Sequence, residues 1–237
     1  MKFHQIDIFE YLNSIQKPSA EKKEVRKVSY EEVKPFLLNI HYARRMPNIT
    51  DAFGLFINEV LVGVVTYGIP ASRPLCIGLA GVENASRVKE LNRLCLLPEY
   101  NGGGRNLASF LVGRSLKMLD NGTYVVSYSD TGWGHNGYIY QATNFLYTGL
   151  SAKRTDTYQP NGLHPRAYDK NNHSNKMQTR NPKHRYVYIV ADKRLRKKML
   201  AELKYPILPY PKGDDVKYDV NDPKPVIPIQ IIERTKQ

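Results

Sequence analysis

The sequence predicts an α/β fold: one mixed sheet with flanking helices and an extended, proline-rich C-terminal tail. Three observations carry this reading. Strand-like and helix-like periodicities alternate between residues 29 and 204. A strand, a glycine turn and a helix follow one another in LCLLPEYNGGGRNLASFL, residues 94–111. The chain of 237 residues is 41% hydrophobic, enough to bury a core rather than stay disordered.

The elements follow in order. Residues 1–28 read as an N-terminal arm whose charged stretch KPSAEKKEVRK is a solvated segment. Ser29 and Glu32 have the spacing of a capping box and open a helix through about Arg44, which Pro35 kinks or delays. FGLFINEVLVGVVTYG, residues 53–68, reads as two strands joined by a turn at Asn58-Glu59. VKELNRLCLLPEY (88–100) is a third strand, NLASFLVGRSLKML (106–119) a helix and TYVVSYSD (123–130) another strand. NGYIYQATNFLYTG reads as helical, with Gly149 as its C-cap. KHRYVYIVA (183–191) alternates like a late strand, and KRLRKKMLAELK is a basic helix with Leu195, Met199 and Leu203 on one face.

Residues 29–204 therefore form the main domain, interrupted by a long polar insertion at 159–183. Residues 205–237 hold six of the fifteen prolines in YPILPYPKG and DPKPVIPI, so they read as extended chain lying on the domain surface.

The formal net charge of +13 favours anionic partners, nucleic acid above all. Cys76 and Cys95 are too few for a disulfide framework and fit a reducing compartment. The sequence has no apolar run of about 20 residues, and MKFHQIDIFEYL lacks the basic-then-apolar order of a signal peptide. A cytoplasmic protein is expected.

The turn from Asn101 through Gly102, Gly103, Gly104, Arg105 and Asn106 can bring backbone N–H groups to an anion at a helix start, or it can simply link strand to helix. It lacks the Gly-Lys-Ser/Thr of a P-loop and the GxGxxG of a dinucleotide fold. With its lead-in Pro98-Glu99-Tyr100, and with Gly102 and Gly104, it resembles the pyrophosphate-binding segment of the Gcn5-related N-acetyltransferases. Asn101 stands where that family has Arg or Gln, and Asn106 where it has a small residue. The resemblance implies two splayed central parallel strands that seat an acyl-CoA donor.

SYSDTGWGHNGYIYQATNFLYTG, residues 127–149, mixes an aspartate, a histidine, a tryptophan, several tyrosines and four glycines. Together with VKELNRLCLLPEY and KHRYVYIV…LKYPILPYPKGD it resembles the Mom family of bacteriophage DNA-modification proteins, over residues 35 to 213. The resemblance implies an acetyltransferase-like enzyme of the host cytoplasm that adds a carbamoylmethyl group to the exocyclic amine of adenine, protecting phage DNA from restriction. It implies a catalytic set of His41, Tyr67, Asp130 and Tyr140. The donor implied is acyl-CoA or another acyl or aminoacyl compound, and iron is the metal it suggests.

Residue chemistry leaves alternatives open. Asp130 can orient or deprotonate an amine, or cap the following turn. Tyr140 can relay a proton or pack in the core, and His41 can be a base, a metal ligand or a buried helix-end residue. None of the six histidines shows the i, i+3 or i, i+4 pairing of a preformed helical metal site.

Modification at N6 requires an extruded or unpaired base. Lys153, Arg154, Arg180, Lys183, Arg185 and the run 193–198 supply cations for phosphates, with the insertion as a gripping loop. Trp133, His135, Tyr138, Tyr158 and Tyr168 supply stacking faces. Two other readings are an N-acetyltransferase acting on a small-molecule or protein amine, and a non-catalytic DNA-binding module.

Overall fold

The computed structural model describes residues 21–102, 104–158, 176–213, 215–216, 219 and 221–233. Strand β1 (Lys23–Lys27) pairs antiparallel with β2 (Asp51–Ile57), so the part of the expected arm that is described belongs to the sheet. Arg26 and Lys22 also bind the Glu59 carboxylate of the β2–β3 turn. Helix α1 (Tyr30–Pro35) begins at the expected capping box: Ser29 Oγ accepts from Glu32 N while Glu32 Oε2 accepts from Ser29 N. It does not run on to Arg44. Past Pro35 the chain widens into a π-helical turn (Phe36–Ile40), closed by His41 N donating to Phe36 O at 2.9 Å. Such turns commonly re-aim a side chain at functional sites, and this one delivers His41.

β2 and β3 (Val60–Gly68) form the expected hairpin, with Asn58 and Glu59 both at positive φ as a type I′ turn requires. Helix α2 (Arg73–Ala80) has no counterpart in the sequence reading. It is one short, glycine-containing stretch started by the Ser72 cap and stopped at Gly81, φ +81°. Then come β4 (Val88–Leu96), α3 (Leu107–Leu116), β5 (Thr123–Asp130) and α4 (Tyr138–Ala142).

The helix expected to end at Gly149 stops at Ala142. Phe145 is wholly buried, and Leu146–Leu150 form strand β6 instead. β7 (Arg154–Thr157) and β8 (Lys176–Arg180) follow, so residues 176–180 of the expected insertion are strand rather than loop; residues 159–175, with Tyr168, lie outside the described residues. β9 (Lys183–Val190), α5 (Lys193–Glu202) and the short β10 (Ile231–Glu233) complete the chain.

The main sheet has the order β1-β2-β3-β4-β5-β9-β6. Every neighbouring pair is antiparallel except β4 and β5, which run parallel over only three residue pairs, Val88–Glu90 against Tyr124–Val126. Beyond Glu90 and Val126 the two strands separate. This mixed α/β sheet with a central parallel splay is the Gcn5-related N-acetyltransferase-like arrangement. β7, β8 and β10 make a separate three-stranded sheet.

One face packs on α3, with Phe53, Tyr67, Leu91, Leu111 and Val125 in its core. The other carries α2 and α5 over Tyr124 and Val126, with Met199 of α5 buried between, and α1 over Val64 and Cys95. The tail lies along the domain where it is described. Leu208 bridges to Tyr147 beside β6, and Tyr210 Oη donates to Phe145 O at 2.7 Å.

Candidate functional site

The gap between β4 and β5 opens a cavity of about 560 Å³ that passes between the two faces of the sheet. Ala108, Ile139 and Tyr140 line it from the α3 face, and His41 and Tyr42 from the α1 face. A bulge in β4 shapes its wall. Leu91 opposes Tyr67 and Arg93 opposes Thr66, so Asn92 is the extra residue. Asn92 is held there by Thr66 Oγ1 donating to its Oδ1 at 2.6 Å and by its own Nδ2 donating to Asn48 O at 2.8 Å. Strict alternation would place Glu90 and Arg93 on opposite faces. The inserted residue puts both on the α1 face, lining the cavity.

Glu90 makes no side-chain hydrogen bond or ion pair with the other described residues. Burial raises its pKa above the ordinary carboxyl value, with Arg93 and Lys183 pulling the other way. Arg93 donates from Nη1 to Asn92 O at 2.6 Å, while its Nε is buried without a partner. Burial and the positive charge of Arg45 lower the Arg93 pKa, although Tyr42 and Glu90 favour its charged form. The cavity wall thus holds both a buried carboxyl with a raised pKa and a cation with a spare donor. Nothing in the residue types of VKELNRL marked either; the signal is the bulge, which depends on pairing with β3.

His41 is 5% exposed and stacks on Tyr42, with ring centroids 4.4 Å apart. Its Nδ1 accepts from Ala43 N at 3.0 Å, so the ring proton sits on Nε2. Burial, then Arg93 and Arg45, hold its pKa down at about 3. His41 is therefore a neutral N–H donor into the cavity, not a general base. Tyr42 continues the aromatic cluster to Trp133 at 4.6 Å and His135 at 6.3 Å.

Asp130 both lines the cavity and caps a turn. Its Oδ1 accepts from Gly132 N at 2.9 Å, starting the short turn Thr131–Trp133, and its Oδ2 pairs with Lys183 Nζ at 2.8 Å. With both oxygens engaged, it is better placed to orient a group than to take a proton. Tyr140 lines the cavity from α4, its ring tilted against those of Phe145 and Tyr186. Desolvation raises its pKa far above the phenol range, against the pull of the Ser127 hydroxyl, so it acts as an O–H donor.

Tyr67 does not belong to this set. It is wholly buried in the α3-face core, its hydroxyl 2.6 Å from Ser115 Oγ. Ser115 Oγ donates to Val112 O, so Tyr67 must be the donor of that pair. Tyr67→Phe is expected to cost about 1 kcal/mol of stability, read as a small fall in melting temperature, with the cavity chemistry intact.

Among the described residues, those at the cavity do not fit an iron centre. His41 could ligate through Nε2 only by moving its proton to Nδ1 and losing the Ala43 contact, and both Asp130 oxygens are engaged. Among the described residues no group of three His, Cys, Asp or Glu side chains is placed to hold a metal.

The glycine turn lies between this cavity and a second one of about 420 Å³. Asn101 lines the first; Arg105 and Asn106 line the second, with Lys23, Ser109 and Lys117. Gly102 and Gly104 have φ of +122° and +71°, and nothing lies within 4 Å of a Cβ built on Gly104. Gly103 lies outside the described residues. Asn106 is itself left-handed and gives α3 no side-chain cap.

The expected DNA-contacting residues divide. His135, Tyr138 and Lys183 line the cavity, and Trp133 stacks at its edge through Tyr42. Lys153, just before β7, and Arg154, on the small sheet opposite Arg180, are exposed, and Arg180 pairs with Asp156. Arg185 is not available to a phosphate. Its guanidinium donates twice to Thr148, at 2.9 Å each, and lies 3.5 Å from the Tyr205 ring centroid. Arg45 stands close enough to Arg180 and Arg93 for mutual repulsion, so the cavity mouth on the α1 face is cationic.

A sequence model of the Mom protein family matches residues 22–212. No curated protein matches the chain by sequence. Among solved structures the chain is similar to an N-acetyltransferase from Staphylococcus aureus Mu50, with 15% identity and a TM-score of 0.43 over 71% of this chain and 99% of that one. It is similar to a spermidine N-acetyltransferase chimera from Vibrio cholerae, with 13% identity and a TM-score of 0.44 over 75% and 98%. A putative acetyltransferase from Salmonella typhimurium, solved with acetyl-CoA, gives 10% identity and a TM-score of 0.44 over 72% and 95%. No helix among the described residues is long and apolar enough to cross a membrane.

Proposed function

The chain belongs to the Mom protein family of phage DNA-modification proteins, and on that premise we propose that it is a transferase adding a carbamoylmethyl group to the N6 amine of adenine in DNA. The observation that carries this reading is the through-sheet cavity with an unengaged carboxyl on its wall. Such a site can receive an electrophile from one face and an amine from the other.

The acceptor base enters from the α1 face, where Arg45, Arg93 and Lys183 attract the flanking phosphates and Tyr42, Trp133 and His135 offer ring surfaces. An adenine amine is a weak nucleophile because its lone pair is delocalised into the ring. Glu90 accepts its proton as the new N–C bond forms and the bond from carbon to the donor's leaving group breaks. Asp130, fixed by Lys183, orients the amine, while His41 Nε2–H and Tyr140 Oη–H stabilise charge that develops on oxygen.

The donor is an acyl-CoA or a related acyl or aminoacyl compound approaching from the α3 face. Acyl transfer from it forms an N6-glycyl amide and releases the thiol or hydroxyl leaving group. Isomerisation of the glycyl group, with no change in composition, gives the carbamoylmethyl product. The cavity of Lys23, Arg105 and Lys117 beside the glycine turn keeps a net positive charge for the donor's phosphates, although Glu21 pairs with Arg105 at 3.3 Å and with Lys23 at 3.9 Å. DNA from cells expressing the protein is expected to contain a deoxyadenosine heavier by the carbamoylmethyl group, detected by mass spectrometry of nucleosides. DNA with only ordinary deoxyadenosine, from cells in which the folded protein accumulates, would reject the reading. Acetylated polyamines or proteins in those cells would select an N-acetyltransferase instead.

A further inference from the structure

We propose that Asp215 and Val216 of the tail form part of the cavity wall and that Asp215 is the positioning residue holding the loop 130–138 in place. The consequence for catalysis rests on the adenine-modifying reading; the placement of the loop does not.

Asp215 and Val216 both line the cavity. The Asp215 carboxylate gathers three successive amides: Oδ1 accepts from Asn136 N at 2.5 Å and Gly137 N at 3.1 Å, and Oδ2 from Tyr138 N at 3.4 Å. These donors open α4, where helical geometry leaves N–H groups without partners. Because Gly137 is left-handed, φ +83°, the turn has little conformational preference of its own, and an outside acceptor fixes it. The helix fixed in this way carries Tyr138 and Tyr140 into the cavity.

Further along the loop, Val216 N donates to Gly134 O at 3.0 Å, and Ile227 N donates to Gly132 O at 2.9 Å. Asn181 Nδ2 ties Ile227 O back to the segment between β8 and β9, at 3.1 Å. A Cβ on Gly134 would meet Val216 Cγ2 at 2.6 Å, so this glycine is needed where the tail crosses. The strap therefore holds the loop at three places, from outside the stretch that the family model matches.

The test uses the full chain and its single tryptophan, Trp133, which sits in the strapped loop. In Asp215→Ala, acrylamide quenching of Trp133 is expected to rise and its emission to shift to the red. Adenine turnover at saturating DNA should fall about 10–100-fold with DNA affinity unchanged, the signature of misplaced groups rather than lost binding. Asp215→Asn keeps one oxygen for Asn136 and Gly137 and should recover most of both readouts. Asp222→Ala, on an exposed pair with Lys224, is the control.

Unchanged quenching in Asp215→Ala overturns the proposal, as does altered quenching with full turnover, or an Asn variant no better than Ala. Should the unaltered protein leave adenine unmodified, the functional reading falls, and the strap is judged on quenching and emission alone.

Discussion

Glu90→Gln is expected to lower adenine modification about 10²–10⁴-fold, the range that a positioned general base contributes. Gln keeps the shape and the polar end of the side chain but cannot take a proton. The carboxyl is the one cavity acid not engaged by another described residue, since Asp130 is bound by Lys183 and by Gly132 N. Burial raises its pKa, so in the unaltered protein the rate should climb as pH rises through that elevated value and then level off. In the Gln variant the limb is absent and the residual rate is flat across the same window.

Stability separates this from a folding defect. A carboxyl whose folded-state pKa lies above its unfolded value makes the native state bind more protons, so stability falls as pH rises from the unfolded value through the folded one. Gln removes that penalty, and the variant should melt no lower than the parent at neutral pH. A Gln variant with the parent's rate and pH profile would remove Glu90 from the reaction; a lower melting point would mean its burial had been misjudged.

Gly137→Ala is expected to lower stability by about 2–5 kcal/mol, from two additive sources. A left-handed conformation costs a residue bearing a Cβ about 1–2 kcal/mol, and forcing atoms into a packed site costs about 1–3 kcal/mol. The new Cβ would lie 2.5 Å from Cε2 and 2.7 Å from Cζ of Tyr186, a ring with no room to withdraw. Tyr186 is wholly buried, donates its hydroxyl proton to Asn136 O and accepts from Gln141 Nε2. At about 2–4 °C per kcal/mol for a chain of this size, the melting temperature should fall by about 4–20 °C. Calorimetry on the two proteins measures it, and a fall of under 2 °C would show that the loop relaxes freely, against the strapped arrangement.

Much of the framework was legible because it is written in local chemistry. Ser29 and Glu32 announced a helix start, Asn58-Glu59 a hairpin, and NGGG a turn into α3, each within a few residues of chain. The site was legible in part. Asp130, Tyr140, His41 and His135 line one cavity, where the Asp130 carboxylate also caps a turn. Tyr67 was misassigned because a tyrosine at a strand end reads the same whether its hydroxyl faces a cleft or Ser115, 48 residues away. Arg185 was misassigned because Thr148 and Tyr205 claim its guanidinium, and neither is near it in sequence.

The sequence by itself determined the order and type of most elements, the cationic character and the resemblance to one family, because periodicity, capping and turn chemistry act over a few residues. Tertiary structure alone decided which side chains share a cavity. Pairing of β4 with β3 created the bulge that turns Glu90 and Arg93 to the same face. Pairing of β6 with β9 cut α4 short at Ala142. A tail carboxylate, 77 or more residues downstream, fixed the loop between them. Hydrogen bonds between distant strands and the burial of whole faces outweigh local preference, and no short window of sequence contains them.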